Sequence, residues 1–358
     1  MYKPWMETYM EATGKGVPDT TEDYKQMLLY FRDNDMNGNG DASDEIPLMG
    51  SMGRSPVNYL IAPFQIQPYF HYLDVKDGKV YAPFATEGWK DGLAYIADLY
   101  GEGLLARDTF VQDNAQLTQI VSNPQEMLVG CVPEAGVWFV NAAAWGTENV
   151  YEYWTSIPPL TGPTGLKQAP DTDFSCVQQN YITAACKHPE IAVAWNDYWF
   201  GEEGMLVNYM GFEGITYEWV DTVNYNGTKP AIQTIGDFAT ATTVTTTWKA
   251  GAARHQTSQL RYSLVEDIRS SEYSNKNEAY NYLDYIVKES IPQILWMDEE
   301  QANEISMLES VLKPYIDEMT TKFIVGDASR TADWDAYLAE LEAMGLERWI
   351  ALYQQLVD

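Results

Sequence analysis

Residues 32 to 47 read RDNDMNGNGDASDEIP, and Asp35, Asn37 and Asn39 stand there at alternate positions. A chain that curls through Gly38 and Gly40 brings such side chains to one centre, because glycine enters left-handed dihedrals without penalty. The oxygens of Asp35, Asn37, Asn39, Asp41, Asp44 and Glu45 suit a hard cation that takes about six to eight oxygen ligands. Two frames fit. In an EF-hand-type frame, Asp33, Asp35, Asn37, Gly38, Asn39, Asp41 and Asp44 fall at the usual loop positions, with Asp at the end where Glu normally supplies two oxygens. In a frame that starts at Asp35, the ligands are Asp35, Asn37, Asn39, the Asp41 carbonyl, Asp44 and Glu45. Either way the carboxylates repel one another without a cation, and no lysine lies in the loop to neutralise them. The competing reading is a solvated turn in which Asn and Gly supply left-handed dihedrals. A calcium ion here would be structural, a clamp between a long connection and the helix before it.

The elements that must position this loop are legible on either side. Thr20 or Thr21 offers an N-cap, Glu22 and Asp23 follow in the first turn, and Tyr24, Met27, Leu28 and Phe31 form one apolar stripe. That helix runs straight into the acidic loop. In EGWKDGLAYIADLYGEGLL, Trp89, Leu93, Ile96 and Tyr100 share a face, and Gly101 or Gly103 ends the helix. HPEIAVAWNDYWFGEEG predicts a helix opened by Pro189, with Ile191, Ala194, Trp195, Tyr198 and Trp199 inward. From Asp298 onward the pattern is almost wholly helical. EMLVGCV (126–132) and CVQQNYITAA (176–185) read as buried strands, VTTTW (244–248) is β-branched but isolated, and SIPPLTGPTG (156–165) cannot be helical. Helices that alternate with short strands indicate an α/β fold.

The 358 residues suffice for one large core or two lobes. Asp and Glu outnumber Lys and Arg 52 to 22, a net charge of -30, which argues against nucleic acid and favours cations and neutral ligands. Cys131, Cys176 and Cys186 lack metal-ligand spacing, and either one pair bridges or the thiols are free. His71, His188 and His255 are scattered and read as structural. No run reaches the length of a membrane span. MYKPWMETYMEATGKG is charged and polar where a signal peptide would be apolar, which alone reads as cytoplasmic.

Several segments together resemble the extracellular solute-binding proteins (family 1 type) of carbohydrate ABC importers. VPDTTEDYKQMLLYFRDNDMNGNGDASDEIPL resembles that family's helix and Asn-rich loop, and MLVGCVPEAGVW its strand and cleft-lining turn. YWTSIPPLTGPTG is similar to the family's connection between lobes, GEEGMLVNYMGFEGITYEW to a segment after the second-lobe crossover, and DWDAYLAELEAMGLERWIALYQQLVD to the terminal helices. The matches lie in order over nearly the whole chain. The resemblance implies a periplasmic-binding-protein-like type II fold, two-lobed and hinged, with a helical C-terminus. It also implies that the signal peptide, lipid-attachment cysteine and most of one lobe would precede Met1. On that reading 1–154 is lobe 2 with its calcium-type loop at 33–45, 155–200 a return segment of lobe 1, and 201–296 the hinge crossover and cleft region. Residues 297–358 are C-terminal helices packed on lobe 2.

The function implied is the substrate-binding component of an ABC importer, a monomer without enzymatic activity. It would capture a saccharide for the permease subunits at the outer face of the membrane or in the periplasm, held by a lipid anchor outside this chain. Sugar rings have apolar faces and hydroxyl edges, so aromatic side chains with Asp, Glu, Asn and Arg are the groups to seek. The resemblance nominates Glu134 and Trp138 after the strand at 126–132, Glu213 and Tyr217 at the crossover, and Arg54, Asn58 and Tyr59 at the rim. Trp89, Trp195 and Trp199 lie on helical stripes, and Trp334 and Trp349 on the terminal helices, all expected in the core. The alternative is a secreted glycoside hydrolase, which needs paired carboxylates across a cleft. Among so many acids such pairs carry no signal, and no nucleophile elbow, His-containing metal motif or phosphate loop is present. A third reading is a structural surface protein held by calcium.

Overall fold

A computed structural model describes residues 1–66, 68, 71–124, 126–133, 140, 142–145, 150–170, 181–235, 257–265 and 280–358. Two compact units emerge, Met1–Ser175 with Ser274–Asp358, and Cys176–Tyr273.

In the first unit, α1 (Lys3–Thr13) and α2 (Thr21–Asp33) lead through the acidic loop to β1 (Ile46–Leu48) and α3 (Val57–Ile61). A hairpin of β2 (Asp74–Lys76) and β3 (Lys79–Tyr81) precedes α4 (Glu87–Gly101), α5 (Asn114–Val121), β4 (Val129–Cys131) and α6 (Val150–Tyr153). Thr20 is the N-cap of α2: its hydroxyl accepts from Asp23 N at 3.0 Å while the Asp23 carboxylate accepts from Thr20 N, a capping box that satisfies two orphan donors. Tyr24, Met27, Leu28 and Phe31 are all buried, as their spacing predicts. Trp89, Leu93 and Ile96 on α4 are buried as well, and Tyr100 is half-buried against the same core.

β1 and β4 pair in parallel, Ile46 opposite Val129 and Leu48 opposite Cys131. Trp5 of α1 and Phe31 of α2 meet edge to face at 5.4 Å on the β4 backbone. A Cβ at Gly130 would stand 2.7 Å from Phe31 and 2.8 Å from Trp5, so only glycine lets both rings lie there. Of the strand expected at 126–132, only Val129–Cys131 form one, and those three residues are buried.

The C-terminal stretch is helical, as expected. Asp298 caps α10 (Glu299–Val325) through a capping box with Gln301. After α10, whose C-cap is Gly326, come α11 (Trp334–Ala343) and α12 (Leu346–Val357). Trp334 and Trp349 are core residues, as the sequence suggests. Helix α10 packs on α4 and α12, and α12 packs on β3. Gln354 of α12 accepts from Val80 N at 2.8 Å and donates to Gly78 O at 3.0 Å, joining the hairpin to the last helix. No described helix is long and apolar enough to cross a membrane.

The second unit holds α7 (Pro189–Tyr198), α8 (Glu202–Tyr209), an antiparallel pair of β5 (Tyr217–Val220) and β6 (Ala231–Thr234), and α9 (Ser258–Arg261). Its described core is small: Tyr209, Met210, Tyr217 and Ile232. Two expectations fail here. Of the inward set on α7, Ile191, Trp195 and Tyr198 are exposed, Trp195 to 53%, and only Trp199, just past the helix, is buried. The described end of the 176–185 segment is irregular and exposed rather than a buried strand. Both segments carry apolar residues on more than one side, so periodicity does not say which side is covered. VTTTW and Cys176 lie outside the described residues, while Cys131 and Cys186 are free thiols.

Asp74, at the start of β2, is 3% exposed, and its Oδ1 has no partner. Burial raises its pKa to about 6, helped by nearby Glu289 and opposed by donors including the Tyr81 hydroxyl. A folded-state pKa above the unfolded value means that stability is present at low pH and lost as pH rises through about 6. The loss amounts to about 2–3 kcal/mol between roughly pH 4 and 6.5. Asp74→Asn is expected to remove that slope, so that melting temperatures of variant and wild type diverge over this range; parallel curves would refute the assignment. Gly130→Ala is expected to destabilise by about 1–3 kcal/mol in urea titration, because the added methyl overpacks two buried rings.

Candidate functional site

Because β1 and β4 are parallel, residues 49–59 and residues 132–133 leave the same end of the pair. The carboxyl edge of parallel strands is where open α/β folds gather ligand groups. Glu134 and Trp138, which follow the second of these in sequence, lie outside the described residues.

The first segment is a tight turn docked on α5. Ser51 and Arg54 exchange backbone hydrogen bonds at 3.0 Å, and Gly50 N donates to the Thr109 hydroxyl at 3.1 Å. A Cβ at Gly50 would lie 2.6 Å from Arg54 O. The Ser51 hydroxyl donates to Asn114 Oδ1 at 2.6 Å, and the Arg54 guanidinium donates to Thr118 Oγ1 at 3.2 Å. Arg54 is half-buried and Asn58 exposed. Tyr59 turns inward: its ring meets Tyr24 edge-on at 6.1 Å, and its hydroxyl donates to Pro158 O at 3.3 Å. Burial pushes the Tyr59 hydroxyl pKa up. Tyr282 makes a similar anchor on Ile157 O at 2.6 Å, so two phenols hold the Pro-rich connection in place.

The acidic loop closes on itself. Asp35 accepts from the backbone N–H groups of Gly38, Asn39 and Gly40 at 2.7 to 3.1 Å, with Gly38 and Gly40 at φ 76° and 91°. Asp44 accepts from the side-chain amides of Asn37 and Asn39, and Asp41 caps Ser43. Glu45 Oε1 accepts from Met36 N at 2.7 Å and Asn37 N at 3.3 Å. Its Oε2 is buried without a partner, and burial first, then Asp44, raises the carboxyl pKa against the pull of those donors. Asp33 faces away from this set, paired with Arg32 at 2.7 and 3.1 Å. Among the described residues, no three His, Cys, Asp or Glu side chains converge as metal ligands would.

In the second unit, Glu213 is exposed and Tyr217 is packed with Tyr209 and Ile232. The Tyr217 hydroxyl pKa is raised by burial and by Glu213. Trp219, two residues on, stands edge-on to Tyr217 at 6.1 Å and is partly exposed. Trp219 and Trp296, the latter 85% exposed, are aromatic surfaces that sequence pattern did not nominate. Each is a single tryptophan without a periodic partner, so only its exposure marks it.

No family model matches the sequence. The chain is 26% identical over 98% of its length to the fructooligosaccharide ABC transporter substrate-binding protein FusA of Streptococcus pneumoniae, spanning 64% of that protein. It is 22% identical over 60% of its length to the lipoprotein LipO of Bacillus subtilis, spanning 43% of it. The structure of FusA with kestose superposes with a TM-score of 0.74 at 23% identity, covering 99% of this chain and 70% of that one. A FusA EF-hand mutant with fructo-nystose gives 0.73 at 22% identity, covering 100% and 71%. A solute-binding protein of Bifidobacterium longum infantis, associated with an HMO-binding ABC transporter, gives 0.72 at 16% identity, covering 99% and 72%. The fold is thus periplasmic-binding-protein-like, and the chain's relatives and structural neighbours include the sugar-binding components of ABC transporters.

Proposed function

We propose that this chain is the saccharide-capturing part of an ABC importer's substrate-binding component. The observation that carries the reading is the likeness to a sugar-binding ABC transporter component over nearly the whole chain, supported by the parallel β1–β4 pair, from whose carboxyl end residues 49–59 leave. Arg54 and Asn58 on that segment would meet hydroxyls, and Trp138 would offer its face to a sugar ring, with Glu134 as a further polar contact. Glu213 and Tyr217 are further candidates, Tyr217 through its hydroxyl, since its ring is packed in the core. Tyr59 fits an anchoring role better, its hydroxyl being engaged by Pro158. Bound sugar leaves unchanged in this reading, passes to permease subunits, and meets the protein as a monomer outside the cell, at the end of a lipid anchor.

The acidic loop fits a structural calcium ion by the chemistry of its donors. All are oxygens, and one buried carboxylate oxygen, Glu45 Oε2, lacks a partner. The diversion of Asp33 to Arg32 supports the frame that begins at Asp35. Asp35, Asn37, Asn39, Asp44 and Glu45 would then hold the ion, with Asp41 through its carbonyl. Its charge would offset the repulsion among the carboxylates.

Titration with kestose, nystose and a panel of neutral oligosaccharides is expected to give binding and a raised melting temperature, with the sugar recovered intact. Shortened products would favour the hydrolase, and neither binding nor products would discard both. Trp138→Ala is expected to weaken binding by about 1–3 kcal/mol, taking aromatic–base stacking as the guide. Wild-type affinity in that variant would remove Trp138 from the site. Calcium is expected to raise the melting temperature of wild type and leave Asp35→Ala unmoved; a wild type indifferent to chelator would end the metal assignment.

A further inference from the structure

We propose that a groove beside α5, whose described lining residues are uncharged, is a second contact surface for saccharide, taking the units of a longer chain that run on past Arg54. The inference rests on the saccharide reading above and adds a site to it. The groove is open to solvent and offers about 490 Å³, inside the range of small-molecule sites, about 300–1,000 Å³. Thr118, Gln119 and Asn123 bring hydroxyl and amide groups to it, and Ala115, Pro124 and Ala144 bring small apolar surfaces. That mixture matches a sugar: amides donate and accept at once, as hydroxyls do, while methyl and pyrrolidine surfaces cover C–H faces.

Two further observations direct the occupant. From Asn114 to Pro124 no side chain carries a formal charge, on a chain whose net charge is -30. The nearest carboxylates lie at its ends, Glu126 accepting from the Asn123 amide at 3.4 Å and Asp108 on the next hollow, and among the described residues no cationic side chain lines the groove. The groove is also continuous with the nominated site, because Thr118, on its wall, accepts the hydrogen bond from Arg54. The Gln119 amide is exposed and makes no hydrogen bond among the described residues. It also borders a second hollow of about 530 Å³ on the neighbouring flank of α5, lined in part by Gln112 and Gln116. A chain leaving Arg54 thus meets the Gln119 amide, while Gln112 is held by Gly50 O and the Gln116 carbonyl caps Asp113 N.

The test uses calorimetric titration of the full chain with kestose and with a longer fructo-oligosaccharide, beside a neutral glycan array. The variants are Gln119→Leu, which removes the amide, and Ala115→Glu, which places bulk and charge on the groove. Both positions are exposed, so melting temperatures are expected to match wild type. Wild type is expected to bind the longer chain more tightly than kestose. Each variant is expected to lose about threefold to tenfold in affinity for the longer chain and nothing for kestose. Unchanged affinities at both lengths would overturn the groove and leave the saccharide reading standing. Equal losses at both lengths would overturn it too, since a second surface cannot affect a chain too short to reach it. A wild type that binds no neutral glycan would take down the saccharide reading and the groove with it.

Discussion

Everything that places the candidate site depends on a close approach between two aromatic rings and one strand backbone. Trp5 and Phe31 come from helices on either side of a turn, and they share the space that a side chain at residue 130 would fill. Their contact fixes β4 against α1 and α2, and β4 fixes the short parallel partner β1. A strand of three residues cannot hold its own direction, so the rings set where residues 49–59 and residues 132–133 depart. Met1 and Tyr2 complete the arrangement: Tyr2 N donates to Gly130 O at 2.7 Å, and the Tyr2 ring packs against Trp154 at 5.5 Å.

The parts of this design that the sequence disclosed are those where polar residues mark the solvent side. On α2, charged residues flank Tyr24, Met27, Leu28 and Phe31, so one stripe has a single place to go. On α7, Ile191, Val193, Trp195 and Tyr198 point in several directions, and the sequence names apolar residues without naming what covers them. The acidic loop was legible because Asn and Gly at alternate positions force the chain to curl. The Ser51–Arg54 turn was not, since its geometry depends on Thr109, Asn114 and Thr118, some sixty residues away. Long-range docking of a polar turn leaves no periodic trace.

Tyrosine has two roles to choose from near the site. A phenol can present a ring to a ligand or spend its hydroxyl on the protein's own carbonyls. Tyr59 and Tyr282 do the second, on Pro158 and Ile157, at a proline-rich connection that cannot form a helix or supply many backbone donors. Side-chain hydroxyls take over the work that ladder hydrogen bonds do elsewhere. Composition counts such residues among possible sugar contacts; only their partners show that they brace the chain.

Glu45 joins the loop to the site. Its carboxylate gathers Met36 and Asn37, and the next residue, Ile46, begins β1, where Ile46 N donates to Leu128 O at 2.7 Å. The loop thus adjoins the strand that leads into the Ser51–Arg54 turn. With a cation among its oxygens, the loop's repulsion would fall and the start of β1 would be held from both sides, by the core through Gly130 and by charge through Glu45. Without one, the carboxylates rely on backbone N–H groups, the Asn37 and Asn39 amides and the Ser43 hydroxyl. Those donors reach Asp35 and one oxygen of Glu45 but leave the other oxygen buried and bare. A buried acceptor in that state is unfavourable by about 1–3 kcal/mol, which is the local imbalance that a bound ion would remove.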